Sequence, residues 1–121
     1  MKDEAAQLTY VIQFVSDMVE AVAFYRDVLG LPLKLQSPYW SEFATGITSL
    51  ALALHPASAA NPAGTVQLGF GVSDLGAFYV RLSAAGVTFT QPPTHEEGRL
   101  LARFLDPQGK EISVGQLLGA P

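Results

Sequence analysis

Cysteine is absent from the sequence, which excludes disulfide bonds, thiolate metal ligands and cysteine nucleophiles. Charged residues are few, at 15% of the chain, and 7 basic against 11 acidic residues give a net charge of -4. A chain without a run of Lys or Arg does not favour nucleic acid or anionic membranes. Long apolar runs are missing, and the first ten residues lack the apolar core of a signal peptide. We therefore expect a cytoplasmic protein that binds neither nucleic acid nor membranes.

The apolar content is high enough for a folded core. Hydrophobic residues make up 49% of the 121 residues, which suits one domain and argues against disorder. No phosphate-binding glycine loop, nucleophile elbow or dinucleotide fingerprint occurs in the sequence. Enzyme classes that depend on those motifs are therefore set aside.

The chain carries an internal repeat. Stretches of the first half recur in order in the second half: TYVIQFVSD (9–17) as VQLGFGVSD (66–74), AFY (23–25) as AFY (77–79), and GLPL (30–33) as GVTF (86–89). Self-similarity of this kind indicates two copies of one structural unit. The repeat predicts modules at 8–55 and 65–116 joined by a linker at 56–64, together one domain over 1–121.

Each module is predicted to run strand, helix, strand, strand, strand. Residues 8–15 are rich in β-branched and aromatic side chains, as strands are, and Asp17 can cap a helix that Gly30 ends. The apolar stripe of this helix is predicted to contain Met18, Ala21, Val22, Tyr25, Val28 and Leu29. Gln13 falls among the core-facing positions of the preceding strand, where a buried amide needs a partner.

The second module is predicted to end in a strand, a tight turn at 106–109 and a further strand. Alternation along the last strand directs Ile112 and Val114 to the core, and Glu111 and Ser113 to the other face. The preceding segment QPPTHEEG (91–98) is predicted to be a solvated loop.

Two segments, FVSDMVEAVAFYRDVLGLPL (14–33) and FLDPQGKEISV (104–114), resemble the vicinal oxygen chelate superfamily. That superfamily includes glyoxalase I, extradiol dioxygenases and bleomycin-resistance proteins. The resemblance implies an α+β fold in which two βαβββ modules form a half-open cup of curved sheet, commonly completed in a homodimer. Its enzymes hold a divalent metal on the cup floor through His, Glu or Gln, and the metal acts as a Lewis acid on the substrate.

The resemblance also assigns four metal-ligand positions to this chain: Tyr10, Ala51 or Ala53, Gln67 and Ser113. A divalent ion prefers imidazole or carboxylate ligands, because their attraction offsets the loss of its hydration shell. A neutral phenol, a methyl group, an amide and a hydroxyl are weak substitutes. We therefore expect no tight metal site and no cofactor.

Three aromatic residues near the third predicted strand are candidates for ligand contact. Tyr39, Trp40 and Phe43 could stack on a flat ligand at the rim of the cup, since large rings cost little entropy to order. Burial in the core or in a dimer interface is the alternative for each of them, and more so for Phe43 than for Trp40.

Three polar residues are further candidates. His55 shares the face of Ala51 and Ala53 and could bind a ligand or transfer a proton, although a solvated strand end is the alternative. Arg103 could bind an anionic ligand, or could lie on an exposed charged face. Glu111 faces the same way as Ser113 and is a weak candidate for a base.

These residues lead to a metal-free binding protein, similar to bleomycin-resistance proteins, as the main hypothesis. It would sequester a small, partly aromatic compound, without breaking a bond, in a dimeric cup lined by Tyr10, Trp40, Gln67 and Ser113. The alternative is a metal-dependent enzyme of the glyoxalase or dioxygenase type, or one that uses His55 and Glu111 for acid-base chemistry. A regulatory or structural dimer whose cup is filled by its own side chains stays open as a third hypothesis.

Overall fold

A computed structural model describes residues 5–96 and 98–117. The chain divides into two compact units, of which the first is Thr9–Leu68. The second unit comprises the described residues before Thr9 and after Leu68. The element order is strand, helix and three strands, twice over, which confirms the predicted α+β class with two βαβββ modules.

The first module contains β1 (Gln7–Val15), α1 (Met18–Ala23), β2 (Leu33–Leu35), β3 (Ser41–Ala44) and β4 (Ala51–Pro56). The strand order is β2-β3-β4-β1. β1 and β4 are parallel, whereas β3 is antiparallel to β4 and to β2. The first and last strands of the module therefore lie side by side, and their register fixes which side chains share a face.

One face of this sheet packs against α1. Phe43, Leu54 and Val22 are buried there, and Val15 and Leu52 pack around them. Strand side chains alternate between the two faces of a sheet. The residues between these positions, among them Tyr10, Ile12 and Ala53, consequently lie on the face opposite α1.

The second module contains β5 (Val66–Val72), α2 (Leu75–Ala84), β6 (Phe89–Glu96), β7 (Arg99–Leu105) and β8 (Glu111–Gln116). The strand order is β5-β8-β7-β6, with β5 and β8 parallel and the other pairs antiparallel. Its core residues are Val72, Leu75, Phe78, Ala102 and Val114.

The two helices begin with the same cap. Asp17 Oδ1 accepts a hydrogen bond from the backbone N–H of Glu20 at 3.0 Å, and Asp74 Oδ1 accepts one from Ala77 at 3.0 Å. Both aspartates are in extended backbone conformation, as capping residues are. The predicted cap at Asp17 is confirmed, and the repeated Val-Ser-Asp performs the same function in each module. No helix in the described part of the chain has the length and apolar character needed to cross a membrane.

The helical segment of the first module continues beyond α1 as a π-helical turn over Phe24–Val28. The N–H of Leu29 donates to the carbonyl of Phe24, five residues earlier, at 3.0 Å. Gly30 lies thirteen residues after its aspartate cap, whereas Gly86 lies twelve residues after Asp74. A π-turn accommodates one extra residue within a helix, so it accounts for the difference in length between the two copies.

The π-turn also corrects the predicted apolar stripe. Met18, Val22 and Tyr25 pack against the core as predicted. Val28 and Leu29 are 72% and 55% exposed, so their assignment to the stripe was wrong. The extra residue in the turn rotates the positions that follow it away from the sheet.

The same turn supplies the partner that Gln13 needs. Tyr25 lies within the π-helical segment, and its hydroxyl donates a hydrogen bond to Gln13 Oε1. Gln13 lies on the helix-facing side of β1, as predicted. A polar pair therefore links the helical segment to the strand beneath it.

Residues 91–98 are not the predicted loop, because most of them belong to β6. This strand pairs with β7 from Phe89 to Glu96, and its register breaks twice, between Phe89 and Gln91 and between Gln91 and Thr94. Pro92 and Pro93 fall within the second break. Proline cannot donate to a sheet ladder but is tolerated at irregular positions on an edge strand, so the strand passes through them.

The predicted turn between the last two strands is confirmed. Asp106 Oδ1 accepts hydrogen bonds from the backbone N–H groups of Gln108 at 2.8 Å and Lys110 at 2.9 Å. Gly109 has a φ of +81°, a conformation that favours glycine. Val114 is buried in the core beyond the turn, as the alternation predicted.

We expect Asp17→Ala and Asp74→Ala each to lower the free energy of unfolding by about 1 kcal/mol, because each leaves a helix N-terminus without its cap. Thermal unfolding followed by circular dichroism should show midpoints lower by roughly 3–6 °C. The control variants are Asp17→Asn and Asp74→Asn, since asparagine caps about as well as aspartate. A loss of the same size in the asparagine variants would contradict capping as the cause.

Candidate functional site

The face of the first unit opposite α1 is set by the register of β1 and β4. Tyr10 pairs with Ala51, and Phe14 pairs with His55. His55 therefore shares this face with Ala51 and Ala53, as the sequence predicted. Tyr10 and His55 are half-buried, whereas Ile12, Phe14 and Ala53 between them are buried. Buried apolar residues therefore form the middle of this face, and the partly accessible rings of Tyr10 and His55 lie toward its two ends.

Trp40 is positioned over this face by a turn at Ser37. The Ser37 hydroxyl accepts hydrogen bonds from the backbone N–H groups of Trp40 at 3.0 Å and Tyr39 at 3.2 Å, and it donates to the carbonyl of Trp40 at 2.9 Å. Short loops closed by serine in this way hold a defined backbone conformation. The turn therefore fixes the point from which the indole extends.

Four rings meet on this face, and we call Tyr10, Phe14, Trp40 and His55 the ring cluster. Tyr10 and Trp40 have centroids 5.5 Å apart with planes at 80°, and Trp40 and His55 have centroids 6.2 Å apart with planes at 82°. Phe14 and His55 are 5.4 Å apart at 63°. Edge-to-face contacts of this kind stabilise aromatic pairs, so the rings are ordered before any ligand arrives.

The carboxylate of Glu42 is hydrogen-bonded to the ring cluster through Trp40. Glu42 Oε1 accepts a hydrogen bond from Trp40 Nε1 at 2.8 Å. Glu42 pairs with Ala53 across β3 and β4, and it is half-buried. Charged acceptors make stronger hydrogen bonds than neutral ones. Trp40 is thus held through its backbone by Ser37 and through its ring nitrogen by Glu42.

His55 has one defined tautomer in this arrangement. Its Nδ1 lies 2.9 Å from the carbonyl oxygen of Pro56. A carbonyl oxygen only accepts hydrogen bonds, so Nδ1 must carry the proton. In the neutral ring Nε2 then has a lone pair and can accept a hydrogen bond or a proton.

In the second unit, Ser113 lies between Gly69 of β5 and Arg103 of β7. Arg103 Nη1 donates a hydrogen bond to Gln91 Oε1 and lies 3.8 Å from Glu96 Oε2. The guanidinium is therefore already bonded to an amide and close to a carboxylate. Of the predicted residues, Ser113 and Arg103 are brought together on one face.

Glu111 lies on the same face as Ser113, two residues earlier in β8. Its Oε2 accepts a hydrogen bond from the Thr90 hydroxyl at 2.8 Å. This bond joins β8 to β6 through the two side chains. The arrangement is that of a structural contact between strands, and it offers little to a proton-transfer role.

The remaining predicted residues separate into different environments. Phe43 has no exposed surface and packs on the helix side with Val22 and Leu54. Its assignment to ligand contact is therefore wrong, because alternation along β3 puts it on the face opposite Glu42. Tyr39 is 64% exposed, and Gln67 is buried with 2% exposed.

A cavity of about 420 Å³ opens on the helix side of the first unit. Its polar lining includes Gln13, Tyr25 and Asp17. These groups already stabilise the fold, because Tyr25 donates to Gln13 and Asp17 caps α1. The ring cluster is therefore the stronger candidate for a binding site.

The residues at the four metal-ligand positions do not fit a divalent ion. Tyr10 is paired with Ala51, so a phenol and a methyl group stand side by side where two ligands would be needed. Gln67 and Ser113 add an amide and a hydroxyl. Among residues 5–96 and 98–117, no group of three or more His, Asp or Glu side chains is arranged to hold a metal. The side chains at these positions are neutral and would bind a divalent metal ion weakly.

Sequence reasoning missed Glu42 and Phe14. A signal for both existed, because a spacing of two residues puts Trp40 and Glu42 on one side of an extended chain, and a spacing of four does the same for Tyr10 and Phe14. Without the register of β3 against β4, however, alternation does not say which of Glu42 and Phe43 faces the helix.

The different environments of Phe43 and Tyr39 lead to a direct comparison. We expect Phe43→Ala to lower the free energy of unfolding by about 3–5 kcal/mol, because it leaves a cavity under α1. Tyr39→Ala should change it by less than about 0.5 kcal/mol, since that ring is largely exposed. Urea unfolding at equal protein concentration measures both. Equal losses in the two variants would contradict the assignment of Phe43 to the core.

Comparison with known proteins gives one family. The family model described as the Glyoxalase/Bleomycin resistance protein/Dioxygenase superfamily matches residues 7–114. No curated protein matches the sequence.

Several solved structures share the fold. The NAD-dependent benzaldehyde dehydrogenase from Legionella pneumophila has a TM-score of 0.73 at 21% identity, covering 89% of this chain and 97% of its own. The methylmalonyl-CoA epimerase from Mycobacterium tuberculosis has a TM-score of 0.69 at 21% identity, covering 91% and 87%. The 2,3-dioxygenase LapB from Pseudomonas sp. KL28 has a TM-score of 0.69 at 15% identity, covering 95% of this chain and 43% of its own.

At such identities, the similarity to solved structures supports the fold and leaves the chemistry open. The family model covers most of the chain, including the repeated Val-Ser-Asp caps, the parallel pair of β1 and β4 and the turn at Asp106. This chain belongs to the Glyoxalase/Bleomycin resistance protein/Dioxygenase superfamily.

Proposed function

We propose that this protein binds a small, partly aromatic compound without a metal ion and without breaking a bond in it. The observation that carries the proposal is the residue set at the superfamily's metal positions: Tyr10, Ala51 or Ala53, Gln67 and Ser113. A divalent ion bound there would exchange water for neutral, weak donors, which is unfavourable.

The ring cluster supports the binding half of the proposal. Its rings are held in place by the Ser37 turn, by edge-to-face contacts and by Glu42. Tyr10, Trp40 and His55 remain half-buried, so part of each is open to contact. Binding to rings that are already ordered costs little conformational entropy. Gln67, Arg103 and Ser113 are proposed as further contacts, and Tyr39 as a contact from the loop.

A catalytic function is the second candidate, and His55 is the observation that favours it. His55 belongs to the ring cluster, and with its Nδ1 proton donated to Pro56 its Nε2 keeps a lone pair that can take a proton from a bound compound. Solved structures that share the fold also include proteins named as enzymes, such as the epimerase and the dioxygenase above. A metal-dependent version would need ligands other than the four positions supply.

We expect the purified protein, prepared without a histidine tag, to contain well under one equivalent of any transition metal. Its thermal midpoint should not respond to added Zn²⁺, Ni²⁺, Mn²⁺ or Fe²⁺, whereas some compounds in an aromatic library should raise it. A compound at a hundred times its Kd stabilises the native state by about 2.7 kcal/mol. Elemental analysis and thermal-shift measurements provide the readout.

Near-stoichiometric metal, or turnover abolished by a chelator and restored by one metal, would reject the metal-free proposal in favour of the enzyme. Turnover that survives a chelator and is lost in His55→Gln would instead favour the acid-base version. A midpoint that ignores both metals and every compound would favour a purely structural or regulatory role.

We further propose that the protein is a homodimer associated through its first helical segment. Val19, Phe24, Val28 and Leu29 are 73%, 47%, 72% and 55% exposed. Exposed apolar side chains concentrated in one segment are typical of an association surface. The π-turn contributes to this surface, because it is what exposes Val28 and Leu29.

We expect Val19→Asp and Val28→Asp, made together, to convert a dimer into a monomer, because each buries an unpaired charge in the interface. Multi-angle light scattering measures the molar mass. Val80→Asp is the matched control, since Val80 is 67% exposed on α2 and should leave the mass unchanged. A wild-type monomer, or a double variant that stays dimeric, would contradict this interface.

A further inference from the structure

Two of the three ring contacts in the cluster have planes nearly at right angles. Tyr10 stands at 80° to Trp40, and Trp40 stands at 82° to His55. Ring faces are electron-rich and ring edges are electron-poor. Rings set at such angles have their π faces turned in more than one direction, which suits a cation that contacts several rings better than a flat ligand that stacks on one.

Glu42 adds negative charge to the same place. Its carboxylate accepts the Trp40 Nε1 proton at 2.8 Å. A hydrogen bond from a ring N–H to an anion polarises the ring and increases the electron density on its face. Trp is already the strongest of the aromatic residues in binding cations. The Trp40–Glu42 pair therefore combines a polarised indole with a nearby anionic oxygen.

His55 contributes an acceptor. With Nδ1 donating to Pro56, the neutral ring directs its lone pair from Nε2. An ammonium group that retains an N–H can donate to it, whereas a carboxylate or phosphate would face a lone pair and repel it. The cluster and Glu42 thus offer π faces, a carboxylate and a lone pair, and none of these favours an anion. Arg103, the cationic residue among the proposed contacts, is already bonded to Gln91 and lies 3.8 Å from the carboxylate of Glu96.

We propose that the compound bound by the ring cluster is an organic ammonium ion with an aromatic or alkyl part. This inference rests on the proposed binding function and names its ligand class. The net charge of -4 also attracts cations from solution. The buried residues Ile12, Phe14 and Ala53 would contact the apolar part of the ligand. Trp40 and Glu42 would contact its ammonium group.

The test compares two probes of similar shape and different charge. 2-Phenyl-2-propylammonium is a cation that retains N–H groups, and 2-phenyl-2-propanol is its neutral analogue with a hydroxyl in place of the ammonium group. We expect isothermal titration of the full chain to give at least about tenfold tighter binding of the cation, the scale of a cation–π contact assisted by a carboxylate. Repeating the titration at high salt should leave most of the preference, because a half-buried pair is screened less than an exposed one.

Two variants separate a local effect of Glu42 from a general effect of net charge. Glu42→Gln keeps an oxygen acceptor for Trp40 Nε1 and removes the charge, so the preference for the cation should fall by about tenfold while the neutral probe binds as before. Glu20→Gln makes the same change in net charge on the exposed first turn of α1 and should keep the preference. Trp40→Phe tests the ring and should weaken cation binding about threefold or more.

The outcomes decide the two proposals separately. Equal or tighter binding of the neutral probe, or a preference that survives Glu42→Gln, overturns the ammonium proposal and leaves the binding function supported. The same conclusion follows if Glu20→Gln abolishes the preference as fully as Glu42→Gln does. If the cation fails to bind at millimolar concentration, the ammonium proposal is rejected. The binding function is then rejected only if the neutral probe and the aromatic library also leave the thermal midpoint unchanged.

Discussion

The parallel pairing of β1 with β4 is the constraint on which the first unit depends. The first and last strands of a βαβββ module can pair in this way only if the helix crosses one face of the sheet. Tyr10 opposite Ala51 and Phe14 opposite His55 then fix two sets of side chains. A slip of one residue would exchange the faces, putting Leu52 and Leu54 among the rings and Ala53 under the helix. The apolar pattern of β4 makes that exchange costly, so the core and the site stabilise the same register.

The internal repeat shows which parts of the module are structural and which parts vary. Both copies keep the aspartate cap, the parallel pair and a glycine that ends the helical segment. They differ in the faces opposite the helices. The first copy has the ring cluster and Glu42 there, whereas the second has Ser113, Glu111 and an Arg103 bonded to Gln91. One framework thus supports an aromatic face and a polar face, which is why fold alone does not identify function.

Local rules predicted much of this structure from the sequence. The cap at Asp17 and the turn at Asp106 depend on a few neighbouring residues, so the sequence alone predicts them. The face of His55 followed from alternation along one strand. The π-turn was not predicted, because one extra residue in a helix leaves the local propensities unchanged.

Other features depend on pairing between distant segments and were missed for that reason. The strand at 89–96 contains two prolines, which locally indicate a loop, and pairing with β7 overrides them. Phe43 and Glu42 are neighbours on one strand, and only the register against β4 assigns one to the core and the other to the site. The bond from Trp40 to Glu42 could be suspected from spacing, but its existence depends on the Ser37 turn that orients the indole.

β2 and β6, each at one end of its module's strand order, affect how the protein behaves at high concentration. An outer strand with free backbone groups can template the addition of strands from other molecules, which is the first step of fibril growth. β2 has only three residues, and β6 is interrupted by Pro92 and Pro93 and by two register breaks. Neither offers a long, regular ladder of donors and acceptors. The irregular β6 is therefore a safeguard against aggregation, and a version straightened by replacing both prolines would gain a more regular edge at the expense of solubility.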